Sequence, residues 1–262
     1  MRALALVWSL GPLLWQLITS LRPAETLVGA GCAGWTLANY RQLLAADPPF
    51  WRYLLNSTAV ALAATALTLV LALPCAYGLQ QQKGVLRWGT LTALLAASLF
   101  PTVLLFLALL EWARRLGLAN HLLALALPYA ALSLPLAILL LRAALADLPP
   151  ELEDAARLEG LDALQRLRFV LLPLLAPALG STAILVFLFS WNEYPIALTW
   201  ISRDTLLTLP TAIARLGASS VFTIPYGAFA AATVLGSLPL VAMLLLFQRS
   251  IVAGLTQAAV KG

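Results

Sequence analysis

Long apolar runs separated by short polar loops dominate the chain, and one charged island interrupts them. Six runs reach the roughly 20 apolar residues that a helix needs to cross a hydrocarbon core about 30 Å thick: about 3–20, 54–79, 88–110, 119–141, 174–201 and 226–248. Each predicts a membrane-spanning α-helix. Between the fourth and the fifth lies ELEDAARLEGLDALQRLRFVLLP, residues 151–173. Asp147, Glu151, Glu153, Asp154, Glu159 and Asp162 fall in it or just before it, interleaved with Arg157, Arg166 and Arg168. A segment this charged belongs in water. Elsewhere Tyr40, Phe50, Trp51 and Tyr53 lead into the second run, as suits a membrane interface. Asn56, Ser57 and Thr58 then open that run with groups able to bond across to neighbouring helices. Pro74, Pro101, Pro128, Pro135, Pro195 and Pro239 lie inside or at the ends of runs, so kinked helices are expected.

The charged island predicts a helix, a turn and a second helix. Pro149 and Pro150 followed by Glu151, Glu153 and Asp154 is the arrangement of a helix start, with carboxylates at the positive end of the dipole. Glu153 and Arg157 stand four apart in the favourable order for an ion pair, while Ala155 and Ala156 offer a low-profile surface. Gly160 suits the left-handed residue that ends a helix. Asp162 with Gln165 three residues on predicts the cap of a second helix running through Leu164, Leu167 and Phe169 toward Pro173. On the residues alone, a docking element for another protein and a helix pair lying at the headgroups are equally good readings.

Composition narrows the class. With 62% hydrophobic and 10% charged residues over 262 positions, and a mean hydropathy of +0.92, there is too little polar surface to coat a soluble domain. The expectation is an all-α polytopic membrane protein of about six spans in a single domain, 1–262, with a loop of about 147–173. Arg2 before the first run would also fit a signal peptide, but no small-residue cleavage site follows, and the run is expected to be an uncleaved span. Cys32 falls in a loop and Cys75 in a span, so no disulfide is expected between them. If the N-terminus is cytoplasmic, the short-loop cations divide nine inside to seven outside, a slight vote for cytoplasmic ends.

Candidate chemistry is sparse. His121 has no Cys, Asp or Glu set at metal-ligand spacing, so no metal site is expected. There is no Walker-type phosphate loop and no nucleophile with its base, so no catalytic residue and no cofactor are expected in this chain. The net charge of +5 is spread over many loops, which argues against nucleic acid. The remaining candidate is Trp191, Asn192, Glu193 and Tyr194, which interrupt the fifth run just before Pro195. A carboxylate there should face protein or a wet cavity. Two readings stand side by side: rings stacking on a solute with polar groups bonding its hydroxyls, or a structural belt near the outer end of the span.

From Asp154 the loop reads acid, Ala155, Ala156, three residues, Gly160, nine residues, Val170, Leu171, Leu172, Pro173. It resembles the loop signature of ABC importer permeases, E-A-A-x3-G-x9-I-x-L-P, with Asp154 for Glu and Val170 for Ile. The LANYRQLL, RYLLNS, PPELEDAARLEG, FSWNEYPIALT and GLTQAAVKG segments resemble the second membrane subunit of maltose-type carbohydrate importers. The resemblance implies a bacterial-type inner-membrane subunit with both termini cytoplasmic. It implies a second, different permease subunit, two cytoplasmic ATPase subunits that bind ATP and magnesium, and an extracytoplasmic solute-binding protein. It also implies that the loop docks on the ATPase as a coupling helix, a role carried to Glu153, Asp154, Ala155, Ala156, Gly160, Leu172 and Pro173. A polyamine, inorganic anion or metal cargo within the same machinery, and an ion-coupled secondary transporter using Glu193, are the alternatives.

Overall fold

The computed structural model describes residues 2–23, 34–218 and 225–259. Cys32, Lys261 and the end of the GLTQAAVKG stretch lie outside them. Twelve helical segments, with a short 3-10 turn at Asp204–Leu206 between the tenth and eleventh, follow in order among the described residues: α1 (Arg2–Ser20), α2 (Ala38–Ala45), α3 (Phe50–Gln81), α4 (Gly84–Ser98), α5 (Thr102–Arg115), α6 (Leu122–Ala146), α7 (Pro150–Leu158), α8 (Ala163–Leu174), α9 (Ala176–Asn192), α10 (Pro195–Trp200), α11 (Leu209–Ala218) and α12 (Tyr226–Ala259). No strand occurs among them.

Three stretches are long and apolar enough to cross a membrane as they stand: α3, α6 and Tyr226–Met243 of α12. Two further candidates are broken. The run expected as one helix over 88–110 is α4 and α5 meeting at 83°. Pro101 causes the break, because it has no N–H to continue the ladder and it disfavours helical backbone at Phe100. The run expected over 174–201 begins after an 81° elbow between α8 and α9, ends as a helix at Asn192, and resumes as the separate α10. Against the about six expected spans, the described residues thus hold three straight candidates and two bent pairs. Pro12, Pro74, Pro135 and Pro239 are accommodated inside their helices.

The centre of the bundle is α3, which packs along α6 and α9. Its sequence explains why. Ala61, Ala64, Thr68, Ala72 and Ala76 recur every three or four residues, share one face, and are all fully buried. In lipid there is little hydrophobic gain from bringing helices together, so close backbone approach over small residues supplies the packing energy. The Thr65 and Thr68 hydroxyls donate to the carbonyls of Ala61 and Ala64 at 2.7 Å, which satisfies them within their own helix. Around this spine, Leu141, Leu145, Leu167 and Leu171 form a core at the α7 end, and Leu125, Tyr129, Ile196 and Trp200 form one at the other.

Of the polar trio opening α3, Asn56 donates to the carbonyls of Thr205 and Leu207, and the Ser57 hydroxyl accepts from the Leu209 N–H at 2.7 Å. Thr58 instead bonds back to Leu54 in its own helix. Exposed Trp8, Val70, Val85 and Leu99 give the bundle the apolar exterior that a bilayer requires. Cys75 is a free thiol.

Candidate functional site

Pro150 opens α7 with Glu151 and Glu153 in its first turn, and Gly160 ends it at φ +79°. Helical spacing then sorts the side chains. Glu151, Asp154, Ala155 and Leu158 stand at i, i+3, i+4 and i+7, on one face. All four are exposed, Leu158 to 91%. Glu153 and Ala156 turn the other way.

Glu153 forms a joint within the chain. Its Oε1 accepts from the Tyr77 hydroxyl at 2.9 Å, from Gln81 Nε2 at 3.2 Å and from Arg157 Nη2 at 2.7 Å. Arg166 Nε lies 3.7 Å from the same oxygen, donates to the Tyr77 hydroxyl at 3.2 Å, and its Nη1 donates to the Leu161 carbonyl. The end of α3, the middle of α7 and the start of α8 are thus tied through one carboxylate. The hydrogen bond from Arg157 to Glu153, ahead of the charge attraction between them, holds the Arg157 guanidinium above its ordinary pKa. Ala156 is buried within the chain, so Ala155 is the one of the two alanines on the exposed face. A cavity of about 280 Å³ lies behind the joint, lined by Tyr77, Gln80, Leu145, Pro149, Pro150 and Glu153.

Asp162 caps α8 as expected, accepting from the Gln165 N–H at 2.8 Å while Gln165 Oε1 accepts from the Asp162 N–H. The helix then widens into a π-helical stretch, Arg166–Leu171, on which α7 packs. Leu172 is half-buried and Pro173 exposed, and the elbow into α9 follows at Leu175. The Leu-Leu-Pro end of the loop signature therefore sits at the bend between loop and span.

The second candidate cluster separates into different roles. Glu193 terminates α9, and its carboxylate caps α10 by accepting from the N–H groups of Ile196 at 2.8 Å and Ala197 at 3.1 Å. The fully buried Tyr129 of α6 donates its hydroxyl to Glu193 Oε2 at 2.6 Å. Trp191 is 3% exposed and stacked on Phe187, with ring centroids 5.6 Å apart and an interplanar angle of 22°. Phe187 takes one face of its ring, and Trp191 also lines a cavity of about 440 Å³ together with Asn192 and Tyr194. Asn192 and Tyr194 are exposed and line two cavities on either side of the α9–α10 break. One, of about 400 Å³, adds Thr102, Phe189 and Glu193; the other, of about 440 Å³, adds Thr233, Ser237 and Leu240. Among the described residues no cluster of His, Cys, Asp and Glu is placed to hold a metal ion.

Sequence reasoning passed over Leu158, Tyr77 and Tyr129. The first had a signal in the 151, 154, 155, 158 spacing. The two tyrosines meet their carboxylates across 76 and 64 positions, and nothing local marks such pairs.

Residues 68–257 match the family described as binding-protein-dependent transport system inner membrane component. The chain is 36% identical over 257 residues to the trehalose transport system permease protein SugB of Mycobacterium tuberculosis, covering 97% of this chain and 93% of that one. It is 36% identical to the sulfoquinovosyl glycerol transport system permease protein SmoH of Agrobacterium fabrum, over 99% and 92% of the two chains. The trehalose/maltose transport system permease protein MalG of Thermococcus litoralis is likewise 36% identical, over 96% and 91%. Among solved structures, a bacterial ABC transporter involved in the import of the acidic polysaccharide alginate superposes with a TM-score of 0.79 at 18% identity, covering 95% of this chain and 92% of that one. That likeness is one of fold.

Proposed function

This chain belongs to the family of binding-protein-dependent transport system inner membrane components, and from that premise we propose that it forms half of the translocation path of an ATP-driven importer for a carbohydrate or related polyol. The cargo class rests on relatives whose names specify trehalose, sulfoquinovosyl glycerol and trehalose/maltose transport. The subunit itself is non-catalytic. ATP and magnesium are bound by two cytoplasmic ATPase subunits, a second and different permease completes the path, and an extracytoplasmic binding protein delivers the solute. Both termini and α7 face the cytoplasm.

The observation that carries the mechanism is the division of α7 into two faces. The outward face, with Asp154, Ala155 and Leu158 as its centre, docks in a cleft of the ATPase. The inward face, through Glu153, ties α7 to Tyr77 and Gln81 of α3. Closure of the ATPases moves α7, and the joint passes that displacement to α3, around which the bundle is packed, while the elbow at Leu175 passes it to α9. Packed helices shift as rigid elements rather than deform continuously, so a small movement at α7 changes which side of the membrane the cavities open to. Asn192 and Tyr194 are the proposed solute contacts, because they line both cavities at the break.

An ion-coupled transporter fits less well, because Glu193 is already engaged by Tyr129 and the start of α10. A metal or polyamine cargo would call for acidic groups lining the path, and among the described residues Glu193 is the sole carboxylate on the two cavities. The test is uptake by the reconstituted transporter of trehalose, maltose and a polyamine with an ATPase-dead partner as control. ATP-dependent uptake of a sugar is expected. Uptake that persists without ATP hydrolysis and follows an ion gradient would overturn the reading.

A further inference from the structure

The end of the bundle that carries α7 also holds two arginines that the transport mechanism does not use. Arg87 lies in the first turn of α4, and Arg142 lies four residues before the end of α6, about 6 Å of helix rise inside it. The two helices pack on each other, and Leu91, one turn after Arg87, shares a core cluster with Leu145, one turn after Arg142, which puts both arginines at the same end of the bundle. The Nε of each is buried without a hydrogen-bond partner in the protein, and the ion pairs found among the described residues involve Arg115, Arg157, Arg166 and Arg215 instead. Two cations at one end of the bundle, neither bonded to a carboxylate among the described residues, leave a positive surface that attracts an anion. From these observations we propose that Arg87 and Arg142 form a binding site for the phosphate headgroup of an anionic phospholipid.

The surroundings select the lipid over a protein carboxylate. Val85, Leu86 and Trp88 around Arg87 are exposed, to 88%, 66% and 71%, and present apolar and interfacial surface where acyl chains and headgroups meet. A pair of guanidinium forks matches phosphate oxygens bidentately. Basic pockets between spans on the cytoplasmic side are suited to such headgroups. The site rests on the reading that this end of the bundle lies at the cytoplasmic membrane face. It adds a function for it: holding α4 and α6 together at the root of α7.

Native mass spectrometry of the full chain, alone and in the assembled transporter, tests this with phosphatidylglycerol and phosphatidylcholine offered at equal mole fraction. The wild-type chain is expected to retain phosphatidylglycerol preferentially, with a preference that millimolar inorganic phosphate leaves intact. Each arginine near an anionic surface is worth roughly a fivefold change in affinity, so the Arg87→Gln/Arg142→Gln variant should lose nearly all of the preference. Arg87→Lys/Arg142→Lys, which keeps the charge and loses the fork, should keep part of it and fall between the wild type and the Gln variant. Equal retention of the two lipids by the wild type would overturn the proposal, as would displacement by inorganic phosphate. So would an unchanged preference in the Gln variant, including the case where that variant sheds its ATPase subunits, which would assign the arginines to a protein contact. Lipid retention is read without any transport assay, so its failure and that of the importer reading are separate results.

Discussion

Two carboxylates with opposite burdens show how single residues determine the behaviour of this chain. Glu193 accepts from a buried phenol and two backbone N–H groups. Glu193→Ala removes a helix cap, worth about 1 kcal/mol, and strands the Tyr129 hydroxyl at a cost of about 1–3 kcal/mol. The expected result is a thermal midpoint lowered by several degrees in detergent. Adding Tyr129→Phe should recover part of the loss, because the stranded donor is gone; no recovery in that double-mutant cycle would break the assignment. The Glu153 side chain is 22% exposed and keeps its bonds from Gln81 and Arg157 when the Tyr77 hydroxyl is removed, so losing that one bond costs on the order of 1–2 kcal/mol. Tyr77→Phe is accordingly expected to leave the thermal midpoint within a few degrees while lowering solute uptake more than ATP hydrolysis. An equal fall in both would mean that Tyr77 supports docking rather than transmission. The WNEY segment was legible as special because polar residues interrupt an apolar run. The separate fates of its members were not, since Phe187 and Tyr129 reach them through packing that leaves no local mark.

At the scale of the element, α7 and α8 were the most legible part of the chain. Their boundaries are set by local chemistry: proline at the start, glycine at the turn, and Asp162 with Gln165 at the second cap. Gly160 sits at φ +79° with open space where a Cβ would stand, so a substitution there meets backbone strain alone. Gly160→Val should cost roughly 1–2 kcal/mol, misdirect α8, and reduce both co-purification of the ATPase and its stimulated hydrolysis. Gly160→Asn, which tolerates the left-handed region, should keep most of each. Normal values for Gly160→Val would remove the turn from the coupling device. Hydropathy was less informative about the spans. It marked the run over 88–110 but not its 83° break, because a proline in an apolar run can be absorbed, as at Pro74, or can end the helix, as at Pro101. Which outcome occurs depends on what neighbouring helices offer the freed backbone groups.

For the whole molecule, the account rests on a chain of rigid contacts from a water-exposed helix to the interior of the bundle. In the proposed mechanism the outward face of α7 meets the ATPase; within the chain, Glu153 joins α7 to α3, and the alanine face of α3 holds α6 and α9. Fold class and family were readable from sequence, since apolar runs of spanning length and a spaced loop signature are linear features. The direction in which α7 presents its two alanines was not, because it depends on where Tyr77 lies. Those adjacent alanines give the most direct test. In a background with Cys32 and Cys75 replaced by Ser, Ala155→Cys and Ala156→Cys are introduced separately into the assembled transporter and treated with a short thiol-reactive cross-linker. Strong capture of the ATPase from position 155 and little from position 156 is the predicted result. Equal capture from both positions, or capture from 156 alone, would contradict the orientation of the coupling helix and with it the route by which its motion reaches the membrane.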